Sequence, residues 1–317
     1  MPAGSQCRAR YWRTAMGNDI RSLAGTRIGI VGKGGSGKST VTVLVASALR
    51  RHGYEVCVLD ADSTNVGLHR ALGIDVPPVP LLDYFGGMVF SGGAVTCPVD
   101  DPTPLADADI DLEALPGEYR SRGEDGIILL TAGKIADKGP GAGCDGPISK
   151  IARDVQIRAG DTLPVTLVDF KAGFEDSARG VLNGVDWALV TVDPSNAAIQ
   201  MAIDMKEMVR QIRAGQQPAT QHLDTPDLVE TAIRMFREAR VRDVLVVLNR
   251  VKDREVEKYL KDRLAEAGVQ PIAVIPEDPA ITISWLEGAT LAGRLEEPAD
   301  RVVGALEDAA RQETMVT

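Results

Sequence analysis

The chain has 317 residues, with 35 Lys and Arg against 45 Asp and Glu for a formal net charge of −10, and 44% of it is hydrophobic. A chain of this length buries a full core without disulfides or metals, and no apolar run approaches the roughly 18 to 20 residues of a membrane-spanning helix. The acidic total argues against a generally basic nucleic-acid binder and leaves only a local patch open.

In chain order, the first 24 residues carry Arg8, Arg10, Arg13 and Arg21 with no apolar stretch behind them, so a secretory signal lacks its central region and a cytoplasmic location is the default expectation. Residues 1–25 read as a disordered tail, or as a segment ahead of a true start at Met16. A strand is expected at 26–31, a helix at 39–52 and a second strand at 55–59; further strands follow at 126–131, 163–168, 187–192, 243–248 and 270–275. Most are continuous Val/Ile/Leu runs without polar alternation, as parallel strands covered on both faces require. Helices are expected at 195–214, 226–239 and 255–267, the last stopped by Gly268. The alternation predicts one α/β domain over 26–317, a doubly wound, mostly parallel sheet of about seven strands flanked by helices.

Residues 74–125 break the rhythm. They hold seven of the chain's 18 prolines and eleven acids against two bases, Arg120 and Arg122. So long an insertion in a compact domain is usually functional or disordered. It carries most of the negative charge, which leaves the rest of the body close to neutral and weakens the case against DNA. Its place after the second strand puts it near a dimer or client surface, where it recognises a basic partner, holds a metal transiently, or is simply solvated.

The segment Gly32-Lys33-Gly34-Gly35-Ser36-Gly37-Lys38-Ser39-Thr40 fits G-x-x-x-x-G-K-[ST] between a strand and a helix, the context the phosphate-loop motif demands. Gly34, Gly35, Ser36 and Gly37 let the backbone curl so that successive N–H groups face a β-phosphate, with the positive end of the following helix behind them. Lys38 is expected to neutralise β- and γ-phosphate charge, Ser39 to coordinate Mg2+, and Thr40 to hydrogen-bond the α-phosphate. The second strand ends in Asp60-Ala61-Asp62 and the fourth in Val168-Asp169. A phosphoryl-transfer site needs carboxylates at those strand ends, to hold the metal directly or through water and to orient the attacking water.

Lys33 is the second lysine of a deviant Walker A motif, and here the sequence resembles the MinD/ParA and nitrogenase-iron-protein group of dimeric ATPases. The resemblance implies ATP and Mg2+ as cofactors and an ATP-dependent homodimer in which Lys33 reaches the partner's nucleotide. It implies Asp62 as the switch I residue that orients water, Asp169 as the Walker B carboxylate beside Asp60, and Gly173 as a switch II γ-phosphate donor. It also implies Asn249, followed by Arg250, as the position whose amide reads adenine.

Within the group the sequence is most similar to the CooC-type accessory ATPases that help insert nickel into carbon monoxide dehydrogenase. Residues 142–147, 169–173 with 177–180, and 184–186 with 192–195 carry that likeness, which spans 26 to about 290. It implies a client metalloenzyme and Ni2+ or Zn2+ at a dimer interface. Two departures stand out. Cys144-Asp145-Gly146 replaces Cys-x-Cys, and Phe170-Lys171 interrupts a switch II that often reads Asp-Thr-Glu-Ala-Gly. Cys144 is then a thiol ligand or a small residue of a glycine-rich loop; Cys97 has no spacing that makes it the second ligand, and Cys57 reads as a core residue of its strand. Lys171 neutralises phosphate or pairs with Glu175. His52, His69 and His222 are scattered and supply no cluster.

Two other functions stay open: a positioning ATPase on DNA or membrane, and a low-turnover ATP-binding regulator. Residues 298–312 offer only Val302, Val303 and Leu306 as bulky apolar groups, so the terminal helix reads as core packing, a poor membrane anchor.

Overall fold

The computed structural model describes residues 21–134, 144–173 and 180–316. The N-terminal stretch 1–20, with Met16, therefore lies outside the described residues, as do Ala142, Gly143, Glu175 and Ser177–Arg179.

Strands β1 (Arg27–Gly32), β2 (Val56–Ala61), β3 (Asp109–Asp111), β4 (Ser121–Arg122) and β5 (Ile128–Thr131) form the first half, with helices α1 (Lys38–Arg51), α2 (Leu68–Ala71) and α3 (Leu81–Tyr84) between them. The second half holds α4 (Gly146–Asp154), β6 (Gln156–Arg158), β7 (Val165–Phe170), β8 (Trp187–Val192), α5 (Asn196–Arg213), α6 (Pro226–Arg237), β9 (Asp243–Val251), α7 (Arg254–Ala265), β10 (Pro271–Pro276), α8 (Pro279–Glu287) and α9 (Glu296–Val316). The main sheet has the order β10-β9-β8-β1-β7-β2-β5-β4. Every pairing in it is parallel except the antiparallel β4–β5 edge.

The seven expected strands are all present, and β1, β2, β5, β7 and β8 are buried at every position. Their uninterrupted apolar character follows from that, since each face is covered. On one face α1 and α9 pack Val41, Leu44, Val45, Leu49, Val302, Val303 and Leu306 against the strands; on the other, α4, α5 and α7 supply Ile148, Ile151, Met205, Val209 and Leu260. Val302, Val303 and Leu306 are thus spent in the core. No helix among the described residues is long and apolar enough to cross a membrane.

Two differences from the sequence reading stand out. Residues 21–25, grouped there with the tail, are packed: Leu23 is fully buried, and Gly25 N donates to Leu163 O at 3.0 Å. The acidic insertion is likewise folded. Leu81, Leu82, Met88, Val95, Ile110, Leu112 and Leu115 enter the core, β3 pairs with β6 in a separate two-stranded ribbon, and β4 extends the main sheet by one strand. Burying these scattered apolar groups offsets the ordering entropy that its prolines and acids would otherwise leave uncompensated.

Candidate functional site

Parallel strands fix the site's position. β1 lies between β7 and β8, and β7 aligns with β2 so that Asp169 and Asp60 are register partners at the carboxyl edge. A loop leaving β1 must pass beside both carboxylates before α1 begins.

That loop, residues 32–40, curls as its glycines allow. Gly37 sits in the left-handed region at φ 88° as the N-cap of α1, and a Cβ there would stand 2.3 Å from Asn249 Nδ2. Ser36 N donates to Lys33 O at 3.1 Å, and Val41 N to Gly37 O at 2.9 Å. The first-turn N–H groups of α1 have no carbonyl above them within the helix, so they present an anion cradle. Ser36 Oγ, at the heart of the loop, is buried with no hydrogen-bond partner among the described residues. An orphaned buried hydroxyl in a ring of glycines is what a phosphate-binding loop leaves for its ligand.

Lys38 is buried, and burial lowers its pKa against the pull of Asp169 and Asp62. Ser39 Oγ donates to Asp169 Oδ2 at 2.7 Å and accepts from Asn65 Nδ2 at 2.8 Å; Thr42 Oγ1 is 3.2 Å from Asp169 Oδ1. Ser39 and Asp169 therefore set hard oxygen donors side by side, a set that fits Mg2+ completed by water and phosphate oxygens. Burial pushes the Asp169 carboxyl up to about 6, with the Ser39 hydrogen bond and Lys38 opposing. Asp60 is pushed up to about 7 by burial, with Lys134 opposing and Asp169 and Asp62 adding to the rise. Asp62 accepts from Thr64 N, Thr64 Oγ1 and Asn65 N, all on Oδ1 (2.7–3.2 Å), which leaves its Oδ2 for another donor.

The remaining expected residues fall around this centre. Gly173 N donates to Gly32 O at 3.2 Å, tying the segment after β7 to the loop. Asn249 is buried beneath the loop with Nδ2 donated to Ser36 O at 2.7 Å, and Arg250, at φ 59°, reaches Gly35 O at 3.2 Å. Lys33 is half-buried, and its side chain makes no hydrogen bond or ion pair among the described residues. Gly34 and Gly35 are exposed at the loop's crest.

Sequence reasoning missed three participants. Lys134, beyond β5, donates to Asp60 Oδ2 at 2.7 Å and to Asp62 O at 2.6 Å. Asn65 bridges to Ser39, and Trp285 Nε1 donates to Thr40 Oγ1 at 2.9 Å. Only Lys134 had a signal available, since it follows the strand that pairs with β2.

Residues 29–291 match the family described as the CobQ/CobB/MinD/ParA nucleotide binding domain. The chain belongs to this family. An uncharacterized ATP-binding protein of Methanocaldococcus jannaschii is 30% identical over 283 residues, 87% of this chain and 98% of that protein. The carbon monoxide dehydrogenase accessory protein CooC of Rhodospirillum rubrum is 25% identical over 188 residues, 59% of this chain and 70% of that protein. Among solved structures, the cell division ATPase MinD of Pyrococcus furiosus shares the fold with a TM-score of 0.56 at 21% identity, covering 90% of this chain and 99% of that one.

Around the family's nucleotide site the cysteines separate. Cys57 is buried in β2, where burial raises its thiol pKa, as expected of a core residue. Cys144 Sγ accepts from Gly146 N at 3.4 Å, and a Cβ on the same Gly146 would stand 2.6 Å from Cys97 Sγ. The fold thus brings Cys97 to the Cys144 turn despite their spacing in sequence. Among the described residues no group of three or more His, Cys, Asp or Glu side chains is arranged to hold a metal ion. Within the described residues the Cys97–Cys144 pair therefore supplies two of the four ligands a closed thiolate site uses. Lys171 pairs with Asp145 beside that turn.

Proposed function

We propose that this protein is a Mg·ATP-dependent dimeric switch that assists the maturation of a metalloenzyme in the cytoplasm. The observation that carries the switch is Lys33: a half-buried lysine at the phosphate loop without a partner among the described residues, beside a phosphate cradle. The likeness to the Rhodospirillum rubrum accessory protein supports the metalloenzyme client.

In this reading the loop amides and Lys38 bind the β- and γ-phosphates, and Thr40 donates to the α-phosphate. Ser39, with Asp169 and Asp60 directly or through water, holds Mg2+, which supplies charge neutralisation at the phosphates when bound. Asp62, anchored through Oδ1, keeps Oδ2 to orient the water that attacks the γ-phosphate. Gly173 carries the state of the phosphate into switch II, and Asn249 with Arg250 supports the loop at the base-binding side. Lys33 closes on the partner's nucleotide, so that ATP joins two subunits and hydrolysis to ADP and phosphate releases them. Cys144 and Cys97 are two thiols per chain; a two-fold pair presents four, a soft set suited to Ni2+ or Zn2+ as cargo.

The test is sedimentation of wild type and Lys33→Ala with Mg·ATP, together with metal analysis of Asp62→Ala trapped in the ATP state. ATP-dependent dimers lost in Lys33→Ala, with nickel or zinc on the trapped dimer, are expected. Dimers that ignore Lys33 would remove the switch, and a metal-free trapped dimer would remove the metalloenzyme role.

A further inference from the structure

We infer that Trp285 is a positioning residue of the phosphate site, fixing the direction in which the Thr40 hydroxyl donates its proton. The inference rests on the nucleotide reading above and deepens it.

An indole N–H is a donor only, so at 2.9 Å from Nε1 the Thr40 oxygen must accept. The hydroxyl's own hydrogen is then pointed elsewhere. A threonine in a helix commonly returns that hydrogen to the carbonyl four residues back, as Thr42 does to Lys38 O at 3.0 Å. For Thr40 that carbonyl is Ser36 O, already engaged by Asn249 Nδ2 at 2.7 Å, and among the described residues Thr40 donates to no protein acceptor. Its neighbours are the unpaired first-turn amides of α1, Lys38 and Ser39, a setting that attracts an anion. A hydroxyl with one lone pair filled by a donor, and with its hydrogen left without a protein acceptor among the described residues, is available to donate to a phosphate oxygen placed in that setting.

The indole is held for this task from the other side. A Cβ on Gly67 would lie 3.2 Å from Trp285 Cζ3, so the ring rests where a side chain would crowd it. Gly67 N donates to Asn65 Oδ1 at 3.0 Å, and Asn65 Nδ2 reaches Ser39 Oγ at 2.8 Å. Trp285 therefore packs against the same segment that braces the neighbouring serine, and α8 contributes to the phosphate site through one N–H.

The experiment is calorimetric titration of wild type, Trp285→Phe, Thr40→Val and the double variant with Mg·ADP and, separately, with the two diastereomers of Mg·ADPαS, whose α-sulfur is a poor acceptor. Phe keeps an aromatic side chain on α8 but removes the N–H together with part of the benzo edge that faces Gly67, so the thio preference, and not affinity alone, reads the hydrogen bond. Wild type is expected to prefer ADP over one diastereomer by about fivefold, the worth of one ordinary hydrogen bond. Each single variant should weaken ADP binding by about that factor and lose the preference, and the double variant should be no weaker than Thr40→Val, because one ordered hydroxyl has been removed in both. Trp285→Phe that binds like wild type, that weakens all three ligands equally, or that adds fully to Thr40→Val would overturn the inference. Should Trp285→Phe fail to fold by circular dichroism, a thio preference retained in Thr40→Val overturns it alone. Wild type that binds no Mg·ADP overturns the nucleotide reading itself, whereas normal ADP binding with no thio preference overturns only the role of Trp285.

Discussion

Lys171 and Asp145 are ion-paired although 26 residues separate them in sequence. Lys171 directly follows β7, and Asp145 is the N-cap of α4 beside Cys144. Lys171 departs from the switch II pattern of the resembling ATPases, and its partner Asp145 sits between Cys144 and Gly146, the residue that stands where that pattern has a second cysteine. The residue that follows β7 is thereby tied to the turn that carries Cys144. Asp145→Lys and Lys171→Asp should each lower stability by about 0.5–1 kcal/mol, and the charge-swapped double variant should recover most of it, since the pair is only partly shielded from water. Urea denaturation at low salt reads the cycle; additive losses would mean that the two residues act independently.

Gly37 makes a steric prediction. Its φ of 88° disfavours any side chain, and an added Cβ would meet Asn249 Nδ2 at 2.3 Å. Gly37→Ala must displace the Asn249 side chain and break its bond to Ser36 O, which opens the cradle while leaving the β9 backbone pairing in place. A loss of Mg·ADP affinity of at least about tenfold is expected, as strain and the lost hydrogen bond act together, with far-ultraviolet circular dichroism unchanged. Adding Asn249→Ala should recover little, because the backbone strain remains.

How far the sequence discloses this molecule depends on whether a feature is written locally. The seven parallel strands are apolar runs bounded by turns, and Asp60, Asp62 and Asp169 are legible because they close such runs. The ribbon of β3 and β6 is not, being three residues per strand, and the insertion's Leu81, Met88, Val95 and Ile110 have no common period. They become core only once the sheet exists to receive them. Lys134 and Trp285 have the same character. Lys134 reaches Asp60 because Thr131 is the register partner of Asp60, and Trp285 reaches Thr40 across 245 residues.

Lys134 is the one cation bonded to the Asp60 carboxylate among the described residues, and both side chains are largely shielded from water. Removing one partner of such a pair leaves an uncompensated buried charge. Lys134→Met should destabilise the nucleotide-free protein by roughly 3 kcal/mol at pH 8. The loss should shrink at pH 5.5, where Asp60, already raised to about 7, takes up a proton and needs no cation. Chemical denaturation at the two pH values measures this; an equal loss at both would assign Lys134 a packing role.

Asp169 sets the sign of a pH effect. Its folded pKa of about 6 lies above the usual carboxylate value, so between about pH 4 and 6 the native state holds a proton that the unfolded chain has released. Stability from this group is therefore greatest below that window and is lost as pH rises through it, the penalty being complete above pH 6. Asp60 adds a second loss of the same sign that extends to about pH 7. Asp169→Asn keeps the shape while removing the charge, so the variant should melt a few degrees above wild type at pH 8 when both are nucleotide-free, with the gap closing by about pH 4. The same variant should lose the thermal stabilisation that Mg·ADP gives wild type, because the Ser39–Asp169 oxygen pair no longer carries a negative charge for the metal. Scanning fluorimetry at pH 4, 6 and 8 follows both effects; a variant less stable than wild type at pH 8 would show that Asp169 serves the fold and not the phosphate site.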